Sequence, residues 1–269
     1  MGRLAIAAIV AILAMAAPAD ADPADEAIAA LPVLAELRGG ATPVIVRGEL
    51  TPAQARAALR EVRGVYDDVA RRFIAAAAGR VAPPVTLCLF ASDAAYERFV
   101  RRVFGVVLSP LGFYRRDRRL AVANLARGVG NARHELVHPL LGDDFAAIPA
   151  WLNEGIAALY GSARIGVGGA RFLVNYRLRD LHAALRRGAL PSLDELAAAP
   201  ADDFYGDRVA THYALARYLL LYLDRRGELE AFYREVRGAG GDVDRHRRLV
   251  AARVDERAFV AWAGRLRRR

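Results

Sequence analysis

His134-Glu135-Leu136-Val137-His138 places two imidazoles and a carboxylate within one short stretch of chain. On a helix, residues four apart lie one turn apart on the same face, so both imidazoles can hold a single cation. Glu135 is then presented to the side of that cation, where an attacking water would sit. A further carboxylate follows in Pro149-Ala150-Trp151-Leu152-Asn153-Glu154-Gly155. Trp151, Leu152, Ile156, Ala157 and Leu159 surround Glu154, and burying a carboxylate on so apolar a face without a partner is costly. A divalent cation is such a partner. The expected ligand set is therefore His134, His138 and Glu154 around one Zn²⁺. Three protein ligands leave one coordination position open, the arrangement of a hydrolytic rather than a structural zinc. Glu135 is the expected general base.

Asp144 competes for the third position. It lies six residues past His138, where metzincins place their last ligand. That pattern requires glycine three residues past the second histidine, but Leu141 stands there and Gly142 comes one step late. The spacing favours Glu154.

The elements that must position these residues can be read from periodicity and punctuation. Pro43–Arg47 reads as a strand closed by Gly48. Thr51-Pro52 opens a helix whose apolar positions run through Leu59, Val62, Val65, Tyr66, Val69 and Phe73. Val85–Phe90 is a second strand, and Ser92-Asp93 caps a helix to Phe104. Gly112–Leu125 reads as a hairpin around the basic turn Arg115–Arg119. The motif helix follows from about Gly130, then helices over Trp151–Tyr160 and Tyr176–Arg187 with a Gly-rich hairpin over Ala163–Val174 between them. Asp207–Arg225, Leu229–Arg237 and Asp244–Arg267 complete a helical final third, broken by Gly238, Gly240 and Gly241. Asp25–Arg38 reads as a short helix or a loose leader. The fold expected is α+β: a small mixed sheet over 22–128, then a mainly helical part over 129–269 that carries the metal site, the whole forming one domain.

The bulk numbers set the surroundings. Over half the chain is hydrophobic, enough for a real core. Arg3 followed by the apolar run Leu4–Ala17 and Ala19-Asp20-Ala21 fits an export signal over residues 1–21, too short to span a bilayer. The chain is thus expected to be periplasmic or secreted, from a bacterium, with no lasting membrane span. The single cysteine, Cys88, lies in an apolar strand and reads as packing. The net charge is +9 and no lysine occurs. The arginines are scattered without a nucleic-acid-binding motif, so no nucleic-acid partner is expected. His182, His212 and His246 belong to no ligand pattern.

His134–His138 followed by Trp151-Leu152-Asn153-Glu154-Gly155 resembles the gluzincin peptidases, including peptidase MA-like proteins, over roughly His134 to Asp224. The resemblance implies a thermolysin-like architecture, zinc held by His134, His138 and Glu154, and Glu135 as general base acting on a peptide or protein substrate. It also implies that Tyr213, opening Tyr213–Asp224, stabilises the oxyanion; apart from the resemblance, Tyr205 is the back-up for that role. Two departures stand out. Pro139 follows the second histidine directly and should kink or end the helix. The strand Leu120–Leu125 lacks the Gly-x-Met-Glu-Asn signature that holds a free amine in aminopeptidases; Asn124 is present but no glutamate, which points to an endopeptidase. That strand could also receive an extended peptide edge to edge. The rival expectation is a non-catalytic zinc-binding scaffold of the envelope, though it leaves an intact Glu135 without a purpose.

Overall fold

The computed structural model describes residues 22–74 and 81–268. The expected export signal lies outside them. They divide into two compact units, one running up to Asp144 and taking back Ile165–Ala170, the other formed by Phe145–Arg164 and the chain from Arg171.

The first unit is built on a five-stranded sheet with the order β1-β2-β3-β5-β4. Its strands are β1 (Val33–Leu37), β2 (Val44–Glu49), β3 (Val85–Phe90), β4 (Gly112–Arg115) and β5 (Leu120–Asn124). β2, β3 and β5 run parallel, while β1 and β4 are antiparallel edge strands. The sheet is mixed, as the sequence predicts. Residue parity sorts its two faces. Cys88 and Phe90 of β3, Leu120 and Val122 of β5, and Phe113 of β4 join Tyr96, Phe99 and Val100 in one apolar cluster. Those last three come from helix α3 (Asp93–Phe104), and Ala27 of α1 (Pro23–Ala29) closes the cluster. Gly112 and Tyr114 therefore point to the opposite face, where α4 (Gly130–Asp144), the motif helix, packs on β4 and β5. α2 (Pro52–Arg72) lies against α4.

Local signals account for the helix ends. Thr51 and Gln54 form a reciprocal capping box with Pro52 in the first turn of α2. Ser92 caps α3 through Ala95 N–H, and Gly105 ends it at φ 74°. The basic turn is tied down by ion pairs. Arg115 pairs with Asp117, Arg118 with Asp22, and Arg119 with Asp143 at 2.7 Å. Asp143 also accepts from Thr42 Oγ1 at 2.6 Å, so the end of α4 is tied to the sheet.

The second unit is helical. α5 (Ala150–Gly161) packs along α9 (Val209–Arg225), and this pair forms its centre. Gly155 permits the close approach: a Cβ there would lie 2.6 Å from Leu220 Cδ1 and 3.2 Å from the Ala216 backbone. Around α9 lie α6 (Leu178–Arg186), α7 (Leu193–Ala198), α8 (Ala201–Phe204), α10 (Leu229–Gly238) and α12 (Glu256–Arg265). α11 (Val243–Arg253) packs on α7 and α10. Arg217 of α9 is fully buried, and its guanidinium donates to the carbonyls of Ala158 and Leu173. Burial, which disfavours the charge, lowers its pKa to about 10. β6 (Ala163–Gly166) and β7 (Gly169–Phe172) form the expected Gly-rich two-stranded piece.

Four local expectations are corrected. The segment after α1 is strand β1, not a leader. Gly48 lies inside β2 rather than closing it, and a Cβ there would run into the Leu89 backbone. The helix over Asp244–Arg267 is two helices, because the Asp255 side chain accepts from Ala258 N–H and starts α12 afresh. The motif helix does not end at Pro139: it continues to Asp144. An interior proline costs a helix ~3 kcal/mol. Pro139 is buried together with Leu136, Val137, Leu140 and Leu141, and that burial outweighs the lost hydrogen bond. Among the described residues no helix is long and apolar enough to cross a membrane.

Candidate metal centre

α4 carries His134, Glu135 and His138 on its sheet-facing side. The two imidazoles stand one turn apart with ring centroids at 4.8 Å and planes nearly perpendicular. The His138 ring also stacks on Tyr114 of β4 at 6.5 Å. Arg133, one residue before the motif, pairs with Glu61 of α2 at 3.1 Å and fixes the rotation of α4 about its axis. Glu135 is buried, its Oε2 3.8 Å from His138 Nε2. Its position depends on a residue that sequence reasoning did not single out. A Cβ on Gly112 would lie 3.0 Å from Glu135 Cγ and 2.7 Å from the Val122 carbonyl oxygen. β4 can approach the motif helix this closely only with a bare backbone at 112.

Gly112→Ala is accordingly expected to push Glu135 aside while leaving both imidazoles in place. Turnover should fall by up to ~10²-fold, the effect of a displacement near 1 Å in a catalytic constellation. Overpacking should cost about 1–3 kcal/mol of stability. Steady-state rates, zinc content and thermal unfolding of the variant check this; lost zinc would show that the glycine supports the ligands instead.

Glu154 lies on the first turns of α5 and is buried. The Tyr205 hydroxyl, just past α8, donates to Glu154 Oε1 at 2.8 Å. The ring of Tyr213, on α9, lies 6.4 Å from that of Tyr205. Burial first, then the charge of Glu154, holds the Tyr213 hydroxyl well above the usual tyrosine range, so it remains a donor. Of the two tyrosines singled out in the sequence, Tyr205 binds the carboxylate directly and Tyr213 stands beside Tyr205.

The potential ligand atoms of His134, His138 and Glu154 all lie within 4.8 Å of one another. Two nitrogens and an oxygen at zinc bond lengths of ~2.0–2.2 Å sit ~3.5 Å apart, so small rotations of the side chains suffice to close them on one ion. Imidazole and carboxylate are the donors that zinc accepts in catalytic sites. The donor set therefore fits a single Zn²⁺, in the HExxH-plus-Glu arrangement of a zincin-type centre. Asp144, the competing third ligand, is not part of the group.

The other histidines are accounted for elsewhere. His182 meets the Ala263 carbonyl, His212 that of Phe204 and His246 that of Gly240. Each is a packed histidine anchored to backbone. No protein-family model and no curated protein matches the chain.

Proposed function

We propose that the protein is a zinc-dependent metallopeptidase of the gluzincin type that hydrolyses internal peptide bonds. The observation that carries this reading is the convergence of His134, His138 and Glu154 with Glu135 kept beside them as a non-ligand carboxylate. When bound, zinc polarises the scissile carbonyl and lowers the pKa of the attacking water. Glu135 takes the proton from that water on its carboxylate and later delivers it to the leaving amine. The Tyr213 hydroxyl, held protonated, donates to the oxygen that becomes negative in the transition state. Tyr205 orients Glu154 through its hydrogen bond, the supporting role that ligand carboxylates commonly need. The apolar N-terminal segment supports action outside the cytoplasm of a bacterial cell.

The place of an extended substrate changes from the sequence expectation. β5 is flanked by β3 and β4 and has no free edge. β4 is the edge strand beside the motif helix, and it carries Tyr114 against His138. Main-chain pairing of a peptide therefore falls to β4.

The test is direct. The zinc-loaded protein, incubated with a mixed peptide library, should yield new internal termini identified by mass spectrometry, and chelation should abolish them. Full zinc occupancy without any cleavage would overturn the peptidase reading and favour the scaffold.

A further inference from the structure

We infer that Arg177 is a specificity residue that receives a carboxylate of the substrate, a role that rests on the peptidase reading above. Other half-buried arginines have a partner for the guanidinium: Arg119 pairs with Asp143, Arg133 with Glu61 and Arg253 with Glu235, while Arg47 donates to the carbonyls of Ala29 and Leu31. Arg177 is also half-buried, yet among the described residues no carboxylate pairs with it. Its guanidinium carbon lies 4.4 Å from the centroid of the Tyr213 ring and 5.4 Å from that of Tyr176.

Stacking of this kind engages the flat face of the guanidinium. The N–H donors lie in its plane and point outward, in the fork that matches a carboxylate oxygen for oxygen. The ring that supports the guanidinium lies 6.4 Å from that of Tyr205, whose hydroxyl donates to Glu154 Oε1 at 2.8 Å. The donor fork and a ligand of the metal centre are thus joined through two adjacent tyrosines, within the second unit alone.

The backbone beneath Arg177 is fixed in advance. Its N–H donates to Asn175 Oδ1 at 3.1 Å. Asn175 is itself buried: its N–H donates to Tyr218 Oη at 3.1 Å, its carbonyl accepts from the same hydroxyl, and its Nδ2 donates to Ser162 Oγ at 2.9 Å. A turn tied down at four points holds the arginine ready before any ligand arrives, the condition for affinity that is not lost to ordering. A peptide offers carboxylates of two origins, its C-terminus and its Asp or Glu side chains, and the fork accepts either.

Three peptides of one sequence separate these origins: one with a free C-terminus, one amidated, and one amidated with a glutamate after the scissile bond. With zinc-loaded wild-type protein, the plain amide should show at least tenfold lower kcat/KM than the better of the other two, mainly through KM. Whichever peptide restores the rate identifies the origin. In Arg177→Met the three should fall within twofold of each other with zinc content unchanged. Arg177→Lys, which keeps the charge but not the fork, should retain an intermediate preference. Calorimetric titration of the same peptides into zinc-loaded Glu135→Gln, with and without Arg177→Met, reads binding without turnover. A carboxylate preference in binding with no hydrolysis by wild type would sink the peptidase reading and leave the anchor standing. The same ratios with and without the Arg177 side chain would overturn the anchor, whatever the rates.

Discussion

Glu135→Gln is expected to lower kcat by about 10²–10⁴-fold, the usual contribution of a positioned general base, while zinc stays near one equivalent. Glutamine matches the shape of glutamate, so the packing of this buried side chain beneath Gly112 persists and only its ability to take a proton is lost. That separation makes the variant informative, whereas truncation to alanine would open a cavity and mix two effects. Rates from a peptide assay and metal content from elemental analysis, measured on one preparation, decide the outcome. Hydrolysis at the wild-type rate would place the base elsewhere. Loss of zinc would mean that Glu135 holds the ion or its ligands.

The second large effect concerns stability. Zinc that binds the folded chain and not the unfolded one stabilises it by about 2.7 kcal/mol at a hundredfold excess over Kd. For a chain of this length that corresponds to a rise in Tm of roughly 5–10 °C. His138→Ala should remove the rise altogether. His138 is also buried against Tyr114, so the variant should start from a lower Tm than the wild type without metal. The increment on adding zinc, not the absolute Tm, is therefore the quantity to compare. An undiminished increment in the variant would show that the ion binds somewhere other than between His134, His138 and Glu154.

The readable parts of the sequence were those fixed by local chemistry. Thr51, Pro52 and Gln54 announce α2, Ser92 and Gly105 bracket α3, and both ends can be assigned from side-chain caps and glycine alone. The His-Glu-x-x-His spacing carries its own geometry, because a helix turn aligns the imidazoles whatever surrounds them. What escaped reading depends on partners distant in sequence. β1 is a short edge strand with an exposed Val33 and little alternation, and it is a strand because β2 pairs with it. Pro139 argues locally for a helix end, but the burial of its neighbours decides otherwise. Asp255 was a legible cap in a segment that otherwise reads as continuous helix. Gly112 and Arg177 leave no local trace at all: one matters through a backbone that approaches Glu135, the other through a ring on α9.

Cys88, sealed in β3 beneath α3, has a further consequence. Burial pushes its thiol up to about 12, so the nucleophilic thiolate is scarcely formed at physiological pH. Exchange with glutathione or with a partner's disulfide requires that thiolate and a path to it, and the fold grants neither. The native state is therefore indifferent to redox poise: it neither gains a staple in an oxidising compartment nor loses one in a reducing one.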